Sequence, residues 1–263
     1  METSETGLKA PVDGQLSPSH PYISIVVPAY NEALRIGPSI EGILRFIDAR
    51  QFEAEVILVD DGSVDDTSKI ASAFPLRIIR NGSNRGKGYS VQRGVLEAKG
   101  AWVLFTDADL SAPIEELDSL LEVGEKGADV VIGSRAVDRS KISVHQSRFR
   151  EMGGIFYNLT VRLTLGLPIQ DTQCGFKLFR RETTSQVFRN QTIHGFGFDP
   201  EILFLAKRQG LTIREVPVAW SHDAGSKVHF FSDGLEMFLD LARIRWNALR
   251  GSYGEKLKVT SDE

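Results

Sequence analysis

Four times in its first 110 residues the chain runs a short, unbroken apolar stretch into a knot of Asp, Asn, Gly or Pro. Tyr22 to Val27 (YISIVV) closes on Pro28, and Glu55 to Val59 (EVILV) closes on Asp60-Asp61-Gly62-Ser63. Leu76 to Ile79 (LRII) leads into Asn81 to Gly88, and Ala101 to Thr106 (AWVLFT) ends in Asp107-Ala108-Asp109. A fifth run, Asp129 to Gly133 (DVVIG), meets Arg135. Short β-branched runs bounded by turn residues predict strands. Between them lie segments of helical period: 32 to 50, with Leu34, Ile36, Ile40, Ile43, Leu44 and Ile47, a helix capped from Asp65, Asp66 or Thr67, then Tyr89 to Ala98 and Glu115 to Glu125. Strands that are apolar throughout, rather than on alternate residues, belong to a parallel sheet covered on both faces. In such sheets ligands gather at the carboxyl ends of the strands, where every one of these polar clusters falls.

The rhythm breaks after residue 135. Residues 147 to 166 predict a helix mixing arginines with aromatics, DTQCGFKLFRR is a polar–apolar mixture, and Asp199 to Gln209 predicts another helix. Leu211 to Val218 reads as a strand and Phe230 to Leu249 as a long amphipathic helix. Residues 1–21 read as a loose leader, 22–251 as one α/β domain and 252–263 as a frayed tail.

The 31 Lys+Arg and 35 Asp+Glu leave a formal charge of -4, which gives no support to nucleic-acid binding. The single cysteine, Cys174, rules out an intrachain disulfide and reads as a buried thiol in a reducing compartment. The amino terminus has no basic region followed by an apolar core, and no apolar run reaches the roughly eighteen residues that span a bilayer. The expectation is a cytoplasmic protein that at most visits a membrane surface. Phe230, Phe231, Leu235, Phe238 and Trp246, with Arg243, Arg245 and Arg250 at the helix end, suit either an interfacial helix on anionic lipid or packing against a sheet or a second subunit of a homo-oligomer.

Two aspartates one residue apart at a strand tip serve either as turn and cap or as oxygen ligands to a hard divalent cation, Mg²⁺ or Mn²⁺. The Asp60-Asp61 pair repeats that choice: a carboxylate accepting bonds from a base or ribose, or a local cap. Asn84-Arg85-Gly86-Lys87-Gly88 looks like an anion cradle but lacks the Walker spacing, and no G-x-G-x-x-G follows the first strand.

In order and spacing, VVPAYNE (26–32), VDDGSVDDT (59–67), NRGKG (84–88), TDADL (106–110), GSR (133–135), DTQCGFKLF (171–179), GFGFDPE (195–201) and WSHDAGSK (220–227) resemble the family 2 inverting glycosyltransferases. The likeness is greatest to the branch that makes dolichyl- and polyprenyl-phosphate sugars. The resemblance implies a GT-A fold, a mostly parallel sheet sandwiched by helices with amphipathic C-terminal helices. It also implies a nucleotide-sugar half (22–135), an acceptor-side half (136–251) and transfer of a hexose from UDP-glucose or GDP-mannose to a polyprenyl phosphate. Pro28, Tyr30, Asn31, Glu32, Asp60, Asp61 and Lys87 would line the nucleotide side. Asp107 and Asp109 would hold the metal, with Asp109, Arg135 and Lys227 closest to the chemistry. Arg148, Asp199, Glu201, His222 and Ser226 would lie on the acceptor side. Ser111 and His222 stand where mannosyl relatives often carry Gln and Arg, which weighs toward glucose. An anionic phosphate acceptor needs no protein base, whereas a sugar hydroxyl would need one from among Asp199, Glu201 and His222.

Overall fold

The computed structural model describes residues 21–138, 140, 142–144, 148–221 and 230–254. Its central sheet begins with β1 (Ile23–Ala29), every residue of which is buried. Around it stand β2 (Ala54–Asp60), β3 (Arg77–Arg80) and β4 (Trp102–Thr106), and farther on β5 (Val130–Ser134), β7 (Phe176–Arg180) and β8 (Ile213–Pro217), in the spatial order β3-β2-β1-β4-β7-β5-β8. A two-stranded ladder of β6 (Ile142–Val144) and β9 (Trp220–Ser221) stands apart.

The unbroken apolar runs are explained by two cores, one on each face of the sheet. Ile23, Ile25 and Val27 of β1 enter one core, together with α1 (Ile36–Arg50), α2 (Thr67–Ala71) and α4 (Leu117–Glu125). Val26 enters the other, with α3 (Lys87–Glu97), α5 (Arg148–Leu165), α6 (Arg181–Arg189), α7 (Phe198–Arg208) and α8 (Phe230–Leu249). Successive strand side chains point to opposite faces, so a strand between two cores has no polar side to show.

The sheet is parallel except at β7, which runs antiparallel to both β4 and β5. This strand falls in the stretch 171–181 read from sequence as a polar–apolar mixture, and α6 follows it where the sequence reading placed no element. Lys177, the second residue of β7, interrupts the apolar run that would have announced it. Reversal has one consequence for the site. Because Phe176 pairs with Thr106, the amino-terminal end of β7 lies at the carboxyl edge of β4. The segment from Asp171 to Gly175 therefore joins the strand tips of the first 135 residues, and the two halves of the chain share one sheet edge. The predicted helix 115–125 begins with a 3-10 turn at Ile114–Glu116, and the predicted strand 211–218 narrows to Ile213–Pro217.

Candidate active site

At the tip of β4, Asp107 and Asp109 leave the sheet on a bend in which Leu110 takes a left-handed φ of 47°. Asp109 Oδ1 accepts the Ser111 N–H at 3.0 Å, which leaves its other oxygen outside the turn's own bonding. Asp107 lies across Gly175: a Cβ built there would meet Asp107 Oδ2 at 2.0 Å, so no other residue fits beneath the carboxylate. The Asp107 N–H also donates to Gly175 O at 3.1 Å. Opposite stands Lys87, the first residue of α3, with Nζ 2.7 Å from Asp107 Oδ1. Burial works against the Lys87 ammonium, but Asp107, Asp199 and Asp109 outweigh it and hold the lysine above its ordinary value.

The paired aspartates after β2 are both nearly buried and both bonded inward. Asp60 Oδ1 accepts the Ser63 N–H at 2.8 Å and Oδ2 accepts the Ser68 hydroxyl. Asp61 Oδ1 accepts from Asn81 Nδ2 at 2.6 Å and the Arg85 N–H at 3.0 Å, and Oδ2 accepts the Gly86 N–H at 2.9 Å. Asp61 is thus the clamp that shapes the 84–88 loop and delivers Lys87 to Asp107. Gly86 itself has a φ of 98° and packs on His194 O, a place for glycine alone.

Beyond β1, Pro28 is buried in the strand and Tyr30 stands 37% exposed at its end. Asn31 takes a left-handed φ of 54°, its Oδ1 accepting the Val64 N–H at 2.9 Å. Glu32 Oε2 takes the Arg35 Nε–H at 2.8 Å. The Asn31–Val64 bond, the Glu32 N–H donated to Thr67 Oγ1 at 2.7 Å and the pairing of Ala29 with Asp60 fasten the tip of β1 to the loop after β2. The N-cap of α2 is Asp66, whose side chain makes no cap bond; the Thr67 N–H is taken instead by Asp65 Oδ1 at 3.0 Å.

On the other side, Arg135 forms a two-pronged pair with Asp171, Nε to Oδ2 at 2.7 Å and Nη2 to Oδ1 at 2.8 Å, and lies over the Trp220 ring at 5.2 Å. Burial disfavours the Asp171 charge, but Arg135 overcomes it and holds the carboxyl below its ordinary value. Cys174 is buried as predicted, its thiol pushed up to about 12 by burial first and by Asp171 second. Asp199 is buried against Lys177 Nζ at 2.5 Å rather than open to an acceptor.

Glu201 is fully buried and tied into the scaffold. It accepts the Thr192 and Ile193 N–H groups at 3.0 and 2.8 Å, the Thr192 hydroxyl at 2.6 Å and the Tyr253 hydroxyl at 2.7 Å. Its oxygens are spent on holding the 192–193 loop and Tyr253 to α7, which leaves none to activate a hydroxyl. Arg148 is the first residue of α5. His222, Ser226 and Lys227 lie outside the described residues, as do the leader to residue 20 and the tail from 255.

Asp171, Gly175 and Lys177 acquire their positions only when β7 is reversed. The signal for Lys177 was a lysine inside GFKLF, a charge where a central strand has no room for one.

The sequence model for glycosyl transferase family 2 matches residues 24–188, more than half of the chain. The chain belongs to glycosyltransferase family 2. Among full-length relatives, the dolichyl-phosphate beta-glucosyltransferase of Dictyostelium discoideum is 34% identical over 248 residues, covering 88% of this chain and 76% of its own length. The Homo sapiens protein of the same name is 34% identical over 253 residues, covering 88% and 77%. Among solved structures, glucosyl-3-phosphoglycerate synthase from Mycobacterium tuberculosis, in complex with Mn²⁺, UDP-glucose and phosphoglyceric acid, superposes with a TM-score of 0.62 at 23% identity, covering 85% of this chain and 79% of that one. The family 2 chain therefore has the GT-A fold expected from its motifs.

Among the described residues no three His, Cys, Asp or Glu side chains gather around one point, so any cation at this edge would draw at most two carboxylates from them. That set suits Mg²⁺ or Mn²⁺, which bind through one or two carboxylates and complete their shell with phosphate oxygens and water. The free oxygen of Asp109 and the glycine-backed carboxylate of Asp107 fit such an ion.

Proposed function

We propose that this chain transfers glucose from UDP-glucose to a polyprenyl or dolichyl phosphate, with inversion, using Mg²⁺ or Mn²⁺ at Asp107 and Asp109. The observation that carries the reading is the strand-tip arrangement of Asp107, Asp109 and Lys87. The sugar and acceptor class are supported by relatives named dolichyl-phosphate beta-glucosyltransferase over most of their length. A divalent cation there would supply positive charge to the departing diphosphate.

The chain's own residues have three tasks. The loops after β1 and β2, tied together through Asn31 and Ser63, hold the nucleoside. The Asp61-clamped loop presents Lys87 beside the diphosphate, where a fixed ammonium favours the transition state as leaving-group charge grows. Arg135, oriented by Asp171 and Trp220, faces the acceptor phosphate; the motif resemblance assigns Arg148, Ser226 and Lys227 to the same task. The acceptor oxygen is already anionic, so the burial of Asp199 and Glu201 does not obstruct the reaction.

The lipid tail requires an apolar approach. On α5, Ile155, Phe156 and Leu163 are exposed, as are Leu235, Leu239 and Trp246 on α8. The helices meet where Phe238 packs on Phe156 and Tyr157, at centroid distances of 6.0 and 5.3 Å. Among the described residues no helix is long and apolar enough to cross a membrane. Peripheral contact through this face, on the cytoplasmic side, fits both facts.

The test is transfer of labelled sugar into an organic-extractable product by purified protein with Mn²⁺ and a short polyprenyl phosphate. Label from UDP-glucose that a chelator removes is the expected result. Label from GDP-mannose alone would overturn the sugar, and no extractable label from either donor would overturn the acceptor.

A further inference from the structure

Asparagine is among the poorer helix formers, because its amide competes with the backbone for hydrogen bonds, yet Asn158 stands in the interior of α5. Its amide reaches out of the helix. Nδ2 donates to Ile169 O at 3.1 Å and to Gln170 O at 2.6 Å. Oδ1 accepts the Thr172 N–H at 3.3 Å and the Thr172 hydroxyl at 3.0 Å. One side chain therefore grips the 169–172 loop on both sides of Asp171. From β8, Glu215 takes the N–H groups of Gln170 and Asp171, each at 2.9 Å. Between these two holds stands the Asp171 carboxylate, which accepts the Arg135 N–H at 3.0 Å as well as its guanidinium. Every link from Asn158 to Arg135 is a hydrogen bond or a peptide step.

The helix that supplies Asn158 is also one that faces outward. Ile155, Phe156, Leu159 and Leu163 are exposed, while Tyr157, Val161 and Leu165 hold α5 to the core. Asp171 is 6% exposed and Thr172 fully buried, so the loop has little room to shift unless its anchors move. We propose that Asn158 is a positioning residue for the acceptor end. Through the 169–172 loop and Asp171 it sets the direction of the Arg135 guanidinium. It thereby ties the helix face that meets the lipid tail to the arginine that meets the phosphate, and touches neither donor nor acceptor itself. The inference rests on the reading of Arg135 as the acceptor phosphate's partner.

The test is Asn158→Ala in the transfer assay, with UDP-glucose, Mn²⁺ and a short polyprenyl phosphate. The KM for polyprenyl phosphate rises about 10-fold while the KM for UDP-glucose stays unchanged, as expected when a phosphate-binding group loses its alignment. Thr172→Val removes one hydroxyl from Asn158, keeps the buried shape and guards against misfolding of the alanine variant; it raises the same KM about 3-fold. In an Asp171→Asn background Arg135 has already lost its charged partner, so adding Asn158→Ala changes that KM less than about 2-fold. A merely structural brace raises both KM values together or leaves both alone, and an undiminished effect in the Asp171→Asn background takes the route away from Asp171. Each of these results overturns the inference. Arg135→Met keeps the two readings apart. If it raises the acceptor KM and Asn158→Ala does not, the inference fails and the acceptor role of Arg135 stands; if it leaves the acceptor KM unchanged, both fail.

Discussion

The strand-tip edge and the α5–α8 pair treat their characteristic residues in opposite ways. At the edge, charges are turned inward: Asp60, Asp61, Asp171 and Asp199 are buried and each is held by named donors. On the helix pair, apolar side chains are turned outward, with Leu163 77% exposed and Leu235 65% exposed. Each departs from the ordinary rule that charges face water and leucines do not. A buried charge is kept where position matters more than stability, and an exposed apolar face is kept where something apolar is to be met. On the function proposed above, the contrast is between a strand-tip edge that fixes geometry and a helix face suited to an apolar substrate.

The sharpest way to break the comparison is at the edge. Asp109→Asn is expected to lower transfer on the order of 10³-fold, the scale of losing one transition-state charge contact, with an unchanged melting temperature. Near-normal turnover with metal present would remove Asp109 from the site. Next in size is Asp61→Ala. It leaves the Asn81 amide and the Arg85 and Gly86 N–H groups without their acceptor, and should cost about 3 kcal/mol in urea unfolding while weakening UDP binding. A stability loss without any loss of UDP affinity would separate the clamp from the donor site.

At the other end, Leu235→Ser with Leu239→Ser should reduce binding to vesicles containing anionic lipid by about 10-fold and leave transfer to a short-chain acceptor intact. Equal vesicle binding would return the face to subunit packing. The smallest effect concerns pH. Asp171 is held below its ordinary value in the folded protein, so the unfolded chain takes up its proton first as pH falls. The Arg135–Asp171 contribution is therefore full near neutrality and fades below about pH 4. Wild type should lose more stability than Asp171→Asn between pH 6 and 3, measured by melting temperature; parallel curves would contradict the pair's assigned strength.

How much of this was legible in the sequence follows from the same contrast. β1, β2 and β4 could be read because strands between two cores are apolar at every residue, and their tips could be read because polar residues cluster where those runs end. Asp107 and Asp109 stood out for that reason. β7 could not be read, because Lys177 interrupts it and its reversed direction is set by pairing with β4 and β5, far away in the chain. Sequence also marked Asp60, Asp61 and Glu201 as polar groups near the site without revealing that their oxygens are taken. Asp61 is satisfied by residues 20 to 25 positions on, and Glu201 by Tyr253, 52 positions on. Which carboxylate is free to meet a ligand is decided by such distant partners, and no local pattern records them.

The most direct test of the account is the anomeric configuration of the product formed from UDP-glucose and a polyprenyl phosphate, read by proton NMR after organic extraction. A single displacement by the acceptor phosphate at a metal-held donor predicts a lipid-linked β-glucosyl phosphate. An α-linked product, or glucose recovered only in water-soluble form, would contradict it.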